Sequence, residues 1–297
     1  MGTFGAFPDD KLYFCREGGG TESNMKKRTL YLTDLDGTLL RGDQTVSPFT
    51  AQTISDLIRR GLLFSYATAR SYTTASKVTA NLPQQLPVIV FNGSFIVDPK
   101  TEKRLLSNVF SGKEAVAILD TLTEAEIFPI VNAFFGDREK FSYVHGKESR
   151  GVLAYLEQRS DDVRKNPVHE KKALYGGDIF HVTCIDEEEK LRSAYGVFKN
   201  TFPCVLYRDT YTDETWLEIH PAGATKAKAA KRLKALLDCD RIVCFGDGIN
   251  DIPLFQIADE SYAVANAQDE LKAYASAVIE SNEEDGVAKF LEKNARI

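Results

Sequence analysis

The chain has 297 residues, 43% of them apolar, and a net charge of −6. That length exceeds one minimal core and predicts two domains, with the apolar share of an ordinary globular protein. The negative balance argues against a nucleic-acid backbone or an anionic membrane as main partner, and no run approaches the roughly 20 apolar residues of a membrane span.

Residues 1–24 are polar and irregular, with the run Gly18-Gly19-Gly20, and lack a charged-then-apolar leader pattern. They read as a flexible extension, or as sequence upstream of a true start at Met25. From there apolar runs and helical patterns alternate. A strand is expected near 29–33, a helix over 49–60, a strand over 62–66, a helix over 72–81 and a third strand over 88–91, closed by the turn Asn92-Gly93. Such alternation implies βαβ units and a parallel sheet.

After Asn92 the texture changes. Residues 95–97 and 104–106 read as a hairpin, followed by a helix over 113–122, strands at 128–132 and 141–144, and a helix over 151–158. A strand at 179–185, a helix over 187–199 and strands at 204–208 and 215–219 complete an α+β insert of about 120 residues. The α/β pattern then resumes: helix 225–237, strand 241–245, helix 252–258, strand 261–264, helix 269–275 and strand 277–280. One domain is thus expected to be split in sequence, covering 25–94 and 214–297, with a second, 95–213, inserted after its third strand.

The five cysteines, Cys15, Cys184, Cys204, Cys239 and Cys244, form no C-x-x-C pair and no zinc spacing. Their odd number suggests reduced thiols in a cytoplasm, with Cys239 and Cys244 as small core residues.

The chemistry sits at strand ends. Thr33-Asp34-Leu35-Asp36-Gly37-Thr38 follows the first strand, and Gly246-Asp247-Gly248-Ile249-Asn250-Asp251 follows the strand at 241–245. Two residues apart in an extended segment, Asp34 and Asp36 would point to one face. In parallel sheets ligands bind beyond the carboxyl ends of strands. Four carboxylates gathered there would repel unless a cation or protons neutralised them. A carboxylate beside a phosphoryl group can act as nucleophile, and a second can deliver and take back a proton. Asp247, Asn250 and Asp251 offer the oxygen donors that suit Mg²⁺, and exceed what one helix cap needs. Thr68, ending the second strand, can hold phosphate oxygens, although such threonines are also common caps. Lys226 opens a helix, where a cation is unfavourable unless an anion shares the site; the alternative is a solvated lysine like Lys228 and Lys231.

Taken together, Asp34-Leu35-Asp36-Gly37-Thr38-Leu39-Leu40, Thr68, Lys226 and Gly246-Asp247-Gly248-Ile249-Asn250-Asp251 resemble, in order, the four motifs of the haloacid dehalogenase superfamily. The insert resembles the IIB-type cap of its Cof-like sugar phosphatases in position and size. Val90-Phe91-Asn92-Gly93-Ser94, Val264-Ala265-Asn266-Ala267 and the stretch from Ser281 to Ala288 are similar to that subfamily too. The likeness covers 28–94 and 214–294. It departs at Ala69 and Ala227, where glycine is usual, without losing a reacting group.

The resemblance implies a Rossmann-like α/β core with a C2B-type cap, and a Mg²⁺-dependent phosphatase acting on a small phosphorylated metabolite. Asp34 would attack phosphorus, and Asp36 would protonate the leaving alcohol and then activate water. Mg²⁺ would be held by Asp34, the Asp36 carbonyl, Asp247 and Asp251; Thr68, Asn250 and Lys226 would hold the phosphoryl group. The cap would supply specificity, with Asp137, Arg138, His145, His181 and Arg208 as candidates. A monomer or small homo-oligomer in the cytoplasm is expected, with neither nucleic acid nor membrane as partner. A phosphomutase on the same scaffold is the main rival. A phosphorylated signalling switch fits less well, because such receivers lack an inserted cap and the late Gly-Asp-x-x-Asn-Asp turn. A non-catalytic sugar-phosphate sensor fits poorly with a full set of reacting residues.

Overall fold

A computed structural model describes residues 27–208 and 214–297. The expected extension 1–24 with Cys15, and the expected end of the insert at 213, lie outside those residues. The described chain forms two compact units: 27–68 with Thr73–Val88 and Ala230–Ile297, and Ala69–Tyr72 with Ile89–Ala229.

The chain runs through β1 (Thr29–Thr33), α1 (Pro48–Arg59), β2 (Leu63–Tyr66), α2 (Tyr72–Val78) and β3 (Val88–Val90). β1 is buried at all five positions, as expected of a strand covered on both faces. α1 starts because the Ser47 side chain accepts from the Thr50 amide and Pro48 presets the first turn. β3 departs from expectation. It joins a small sheet, β3-β4-β5, with β4 (Phe95–Val97) and β5 (Arg104–Ser107). The reason is local: Phe91, Asn92 and Gly93 all have positive φ (49°, 53° and 100°), which folds the chain back so that β4 becomes the neighbour.

Next come α3 (Gly112–Glu124), β6 (Ile130–Phe135), β7 (Arg138–Val144), α4 (Arg150–Glu157), β8 (Lys165–Val168), β9 (Asp178–Asp186), α5 (Glu188–Phe198), β10 (Cys204–Arg208) and β11 (Thr215–Ile219). A capping box between Ser111 and Glu114 opens α3. The six-stranded sheet has the order β10-β11-β9-β6-β7-β8. α3 and α5 bury Ile118, Leu119, Leu122, Leu191 and Phe198 against strand residues such as Val182 and Leu217. Val152 and Leu156 of α4 pack with Ile130, Phe141 and Ile185, which alternate to the other face. β8 escapes prediction because it is short and polar and contains Pro167, which suits an edge strand.

The last segments are α6 (Lys226–Leu236), β12 (Arg241–Gly246), α7 (Ile252–Phe255), β13 (Glu260–Val264), α8 (Asp269–Lys272), β14 (Ala277–Ile279) and α9 (Gly286–Asn294). The five-stranded sheet runs β14-β13-β12-β1-β2, and every pair in it is parallel. β1 has β2 on one side and β12 on the other, so the strand order reverses there. Ligands bind at such a switch point in open α/β sheets. α9 is not expected from the sequence pattern; Val287, Ala288 and Leu291 are its buried face. Cys239 and Cys244 are buried, as expected. Among the described residues no helix is long and apolar enough to cross a membrane.

Candidate active site

In the first unit, β1 and β12 run side by side, with Thr33 opposite Phe245. The Asp34 amide donates to the Phe245 carbonyl at 3.0 Å, carrying the pairing one residue beyond the strand. Asp34 is buried there, 6% exposed. β1 stops at Thr33, so strand alternation does not orient Asp36. Asp36 lies in the following turn, where the amides of Leu39 and Leu40 both donate to the Leu35 carbonyl, and it is exposed.

The turn needs Gly37. Its φ is +73°, and a Cβ there would collide with the Asp247 carboxylate. Thr38 Oγ1 donates to Asp247 Oδ1 at 2.7 Å, tying the turn after β1 to the turn after β12. Asp251 is fully buried, and its Oδ2 accepts from the amides of Asp247 (3.1 Å) and Gly248 (3.2 Å). A Cβ at Gly246 would lie 2.6 Å from that same oxygen, so glycine leaves room for the carboxylate. Asp34, Asp247 and Asp251 thereby bring carboxylate oxygens within 4.8 Å of one another. Three acids so close repel unless positive charge offsets them, and such oxygen donors suit a hard cation. The Asp36 side chain stands outside this cluster; the sequence resemblance assigns its backbone carbonyl instead. Asn250 is exposed in the turn Ile249–Asp251. Thr68 is fully buried just past β2, next to Ala67, whose amide donates to the Thr33 carbonyl at 2.9 Å.

The C-terminal segment braces these turns. Asn266 Nδ2 donates to the Gly37 carbonyl (2.7 Å), and the Gln268 amide to the Asp247 carbonyl (2.9 Å). Asn282 links to Asn266 Oδ1 and to the Leu40 carbonyl. Asp285 accepts from Ser47, Thr50 and Arg41. Burial pushes its carboxyl up, but these donors outweigh burial and hold it below its ordinary value. The sequence pattern assigns Asn266, Asn282 and Asp285 no role. The available signal is their clustering in Val264-Ala265-Asn266-Ala267 and the stretch after Ser281.

In the second unit, Lys226 is the first residue of α6 and is 2% exposed, whereas Lys228 and Lys231 are exposed. A solvated lysine is therefore the wrong reading of Lys226. The Asn92-Gly93 turn lies against this helix start: a Cβ at Gly93 would collide with the Thr225 carbonyl and sit 3.0 Å from the Lys226 amide.

The insert's other candidates scatter. Asp137 and Arg138 are exposed at the β6–β7 turn, and Asp137 approaches Arg104 at 3.6 Å. His145 is exposed and 3.3 Å from Glu148. Arg208 lines an open hollow of about 720 Å³ with Lys147, Arg150 and Glu214. His181 alone joins a tight group, with Glu218 and His220, neither of which stands out in the sequence as a candidate. Glu218-x-His220 on a strand is the available signal, since that spacing shares a face.

The family model described as haloacid dehalogenase-like hydrolase matches residues 31–291. The 5-amino-6-(5-phospho-D-ribitylamino)uracil phosphatase YwtE of Bacillus subtilis is 27% identical over 284 residues, 88% of this chain and 96% of that one. Among solved structures, TM0651 from Thermotoga maritima aligns with a TM-score of 0.74 at 22% identity, over 91% of this chain and 98% of that one. The subclass IIB sugar phosphatase BT4131 aligns at 0.68 and 18%, over 90% and 98%.

Proposed function

We propose that this chain, which belongs to the haloacid dehalogenase-like hydrolases, is a Mg²⁺-dependent phosphatase that cleaves a small phosphate monoester through an aspartyl-phosphate. The observation that carries the reading is the convergence of Asp34, Asp247 and Asp251 beyond the carboxyl ends of two adjacent strands. The phosphatase names among its relatives support it.

Asp34 is the nucleophile. Its carboxylate oxygen bonds to phosphorus as the ester P–O bond breaks, and Asp36 gives its proton to the departing alkoxide. Asp36 then takes a proton from water, whose oxygen attacks phosphorus, releasing phosphate and restoring Asp34. Asp36 stands in the turn after β1, two residues from Asp34. Asp34, Asp247, Asp251 and the Asp36 carbonyl are the groups to hold Mg²⁺. When bound, the ion supplies positive charge opposite the transferring phosphoryl oxygens. Thr68, Asn250 and Lys226 hold those oxygens. Buried Lys226 suits this role because a desolvated ammonium binds an anion more strongly than a hydrated one.

The α/β unit with the five-stranded sheet is the catalytic domain, and the insert expected at 95–213 is the cap that selects the substrate, extended past 213 because β11 (Thr215–Ile219) pairs within its six-stranded sheet. Arg138, His145 and Arg208 are exposed groups on the cap available for that selection. The substrate is a soluble cytoplasmic metabolite such as a sugar phosphate. Mg²⁺-dependent release of phosphate from p-nitrophenyl phosphate tests the chemistry, and near-native turnover by Asp34→Asn would refute it. A panel of sugar phosphates, with 5-amino-6-(5-phospho-D-ribitylamino)uracil included, tests the substrate class. Isomerised product with little free phosphate would identify a mutase instead.

A further inference from the structure

Within the second unit, β9 and β11 pair antiparallel, with Val182 opposite Ile219 and Thr183 opposite Glu218. Strand alternation then places His181, Glu218 and His220 on one face, the face that carries Ile130, Ile185 and Trp216 against α4. The two imidazole rings stack, 4.4 Å between centroids and 9° from parallel. Glu218 Oε2 lies 3.7 Å from His220 Nε2 and 3.9 Å from His181 Nε2. Both separations exceed a hydrogen bond. The side chain of His220 is 6% exposed, and neither of its ring nitrogens has a hydrogen-bond partner. Buried imidazole nitrogens are normally satisfied.

Glu218 is within ion-pair range of both rings without a close hydrogen bond to either, and each of the three groups offers a ligand atom within 4.8 Å of the others. We infer that His181, Glu218 and His220 form a binding site for a borderline divalent transition-metal ion such as Zn²⁺ or Co²⁺. The donor set fits: two imidazoles and a carboxylate bind such ions, and three protein ligands leave a position open. Metal–nitrogen bonds of about 2.0–2.1 Å place tetrahedral ligands roughly 3.3 Å apart, so the stacked rings must turn. Rotation about the Cβ–Cγ bond is soft for histidine. The Tyr207 hydroxyl donates to Glu218 Oε1 at 3.3 Å, an outer contact that orients the carboxylate.

This site does not rest on the phosphatase reading, and its test does not use activity. Co²⁺ is titrated into the metal-stripped full-length chain with excess Mg²⁺ present. One equivalent should bind with the intense visible absorption of a four- or five-coordinate ion. His220→Asn and Glu218→Gln should each weaken binding by more than the roughly 10–100-fold that loss of an outer-shell partner costs. A weak octahedral spectrum that Mg²⁺ displaces, or unchanged binding in His220→Asn, overturns the proposal. Substitution on a packed sheet face risks misfolding, so X-ray absorption of the Zn²⁺-loaded unaltered protein gives a second reading. Scattering from two imidazoles is expected, and an all-oxygen shell overturns the proposal.

Discussion

The two groups of metal-ligating side chains are built by different means. Asp34, Asp247 and Asp251 stand on turns just beyond parallel strands. Asp251 takes two amides from its own turn, and Asp247 takes the Thr38 hydroxyl. His181, Glu218 and His220 stand within or beside antiparallel strands, and register alone brings them together. The turn-built site is held by contacts within one turn and by the Thr38–Asp247 bond that ties the two turns together. A sheet-built site depends on pairing, because a shift of one residue turns every side chain to the other face. The chemistry divides the same way, with hard oxygen donors in one group and imidazoles in the other.

Five substitutions sharpen that contrast. The largest expected effect is Asp34→Asn, which should lower the turnover of p-nitrophenyl phosphate by on the order of 10³-fold or more, while Co²⁺ binding at the histidine pair stays unchanged. Loss of both together would mean the two groups are not independent. Next, Lys226→Met should cost about 10²–10³-fold in kcat/KM, as removal of one anion-stabilising donor does. Lys228→Met, at an exposed lysine two residues on, should sit within error of the parent, and steady-state kinetics on the pair distinguishes a buried phosphate ligand from general surface charge.

Gly37→Ala tests how rigidly the turn is specified. The left-handed backbone costs a non-glycine residue about 1–2 kcal/mol, and the new methyl must displace the Asp247 carboxylate. A roughly tenfold rise in the Mg²⁺ concentration for half-maximal activity is expected from about 1.4 kcal/mol, and unaltered Mg²⁺ dependence would show the turn to be adaptable.

The last test concerns stability, at Asp285. Its carboxyl is held below the ordinary 3.8 by Ser47, Thr50 and Arg41, against the opposing push of burial. A depressed folded-state pKa contributes stability above the unfolded value, and that contribution is lost as pH falls through the folded one. Asp285→Asn should cost about 1–3 kcal/mol near neutrality and less below pH 3.8. Thermal melts across that range measure it, and an equal cost at all pH values would contradict the assignment.

The acidic site is legible in the amino-acid order because its motifs are contiguous. Asp34 with Gly37 and Gly246 through Asp251 each lie in one short segment, and the apolar runs ahead of them place each at a strand end. For Asp36 the spacing argument gives the wrong local reason, since the strand ends at Thr33. β8 escapes detection because it is too short and too polar to register as periodic. The third strand is misplaced by its pattern because three apolar residues do not say which neighbour they pair with; the left-handed turn at Phe91–Gly93 decides that.

What the amino-acid order determined alone was the alternation of elements and the residue types at the two acidic turns. Those follow from local propensity and periodicity, which act over a few residues. Tertiary structure alone decided that Lys226 is buried while Lys228 is not, and that His181 meets Glu218 and His220 across a strand pair. Burial and strand register are set by partners far away in the chain, and no local pattern carries that information.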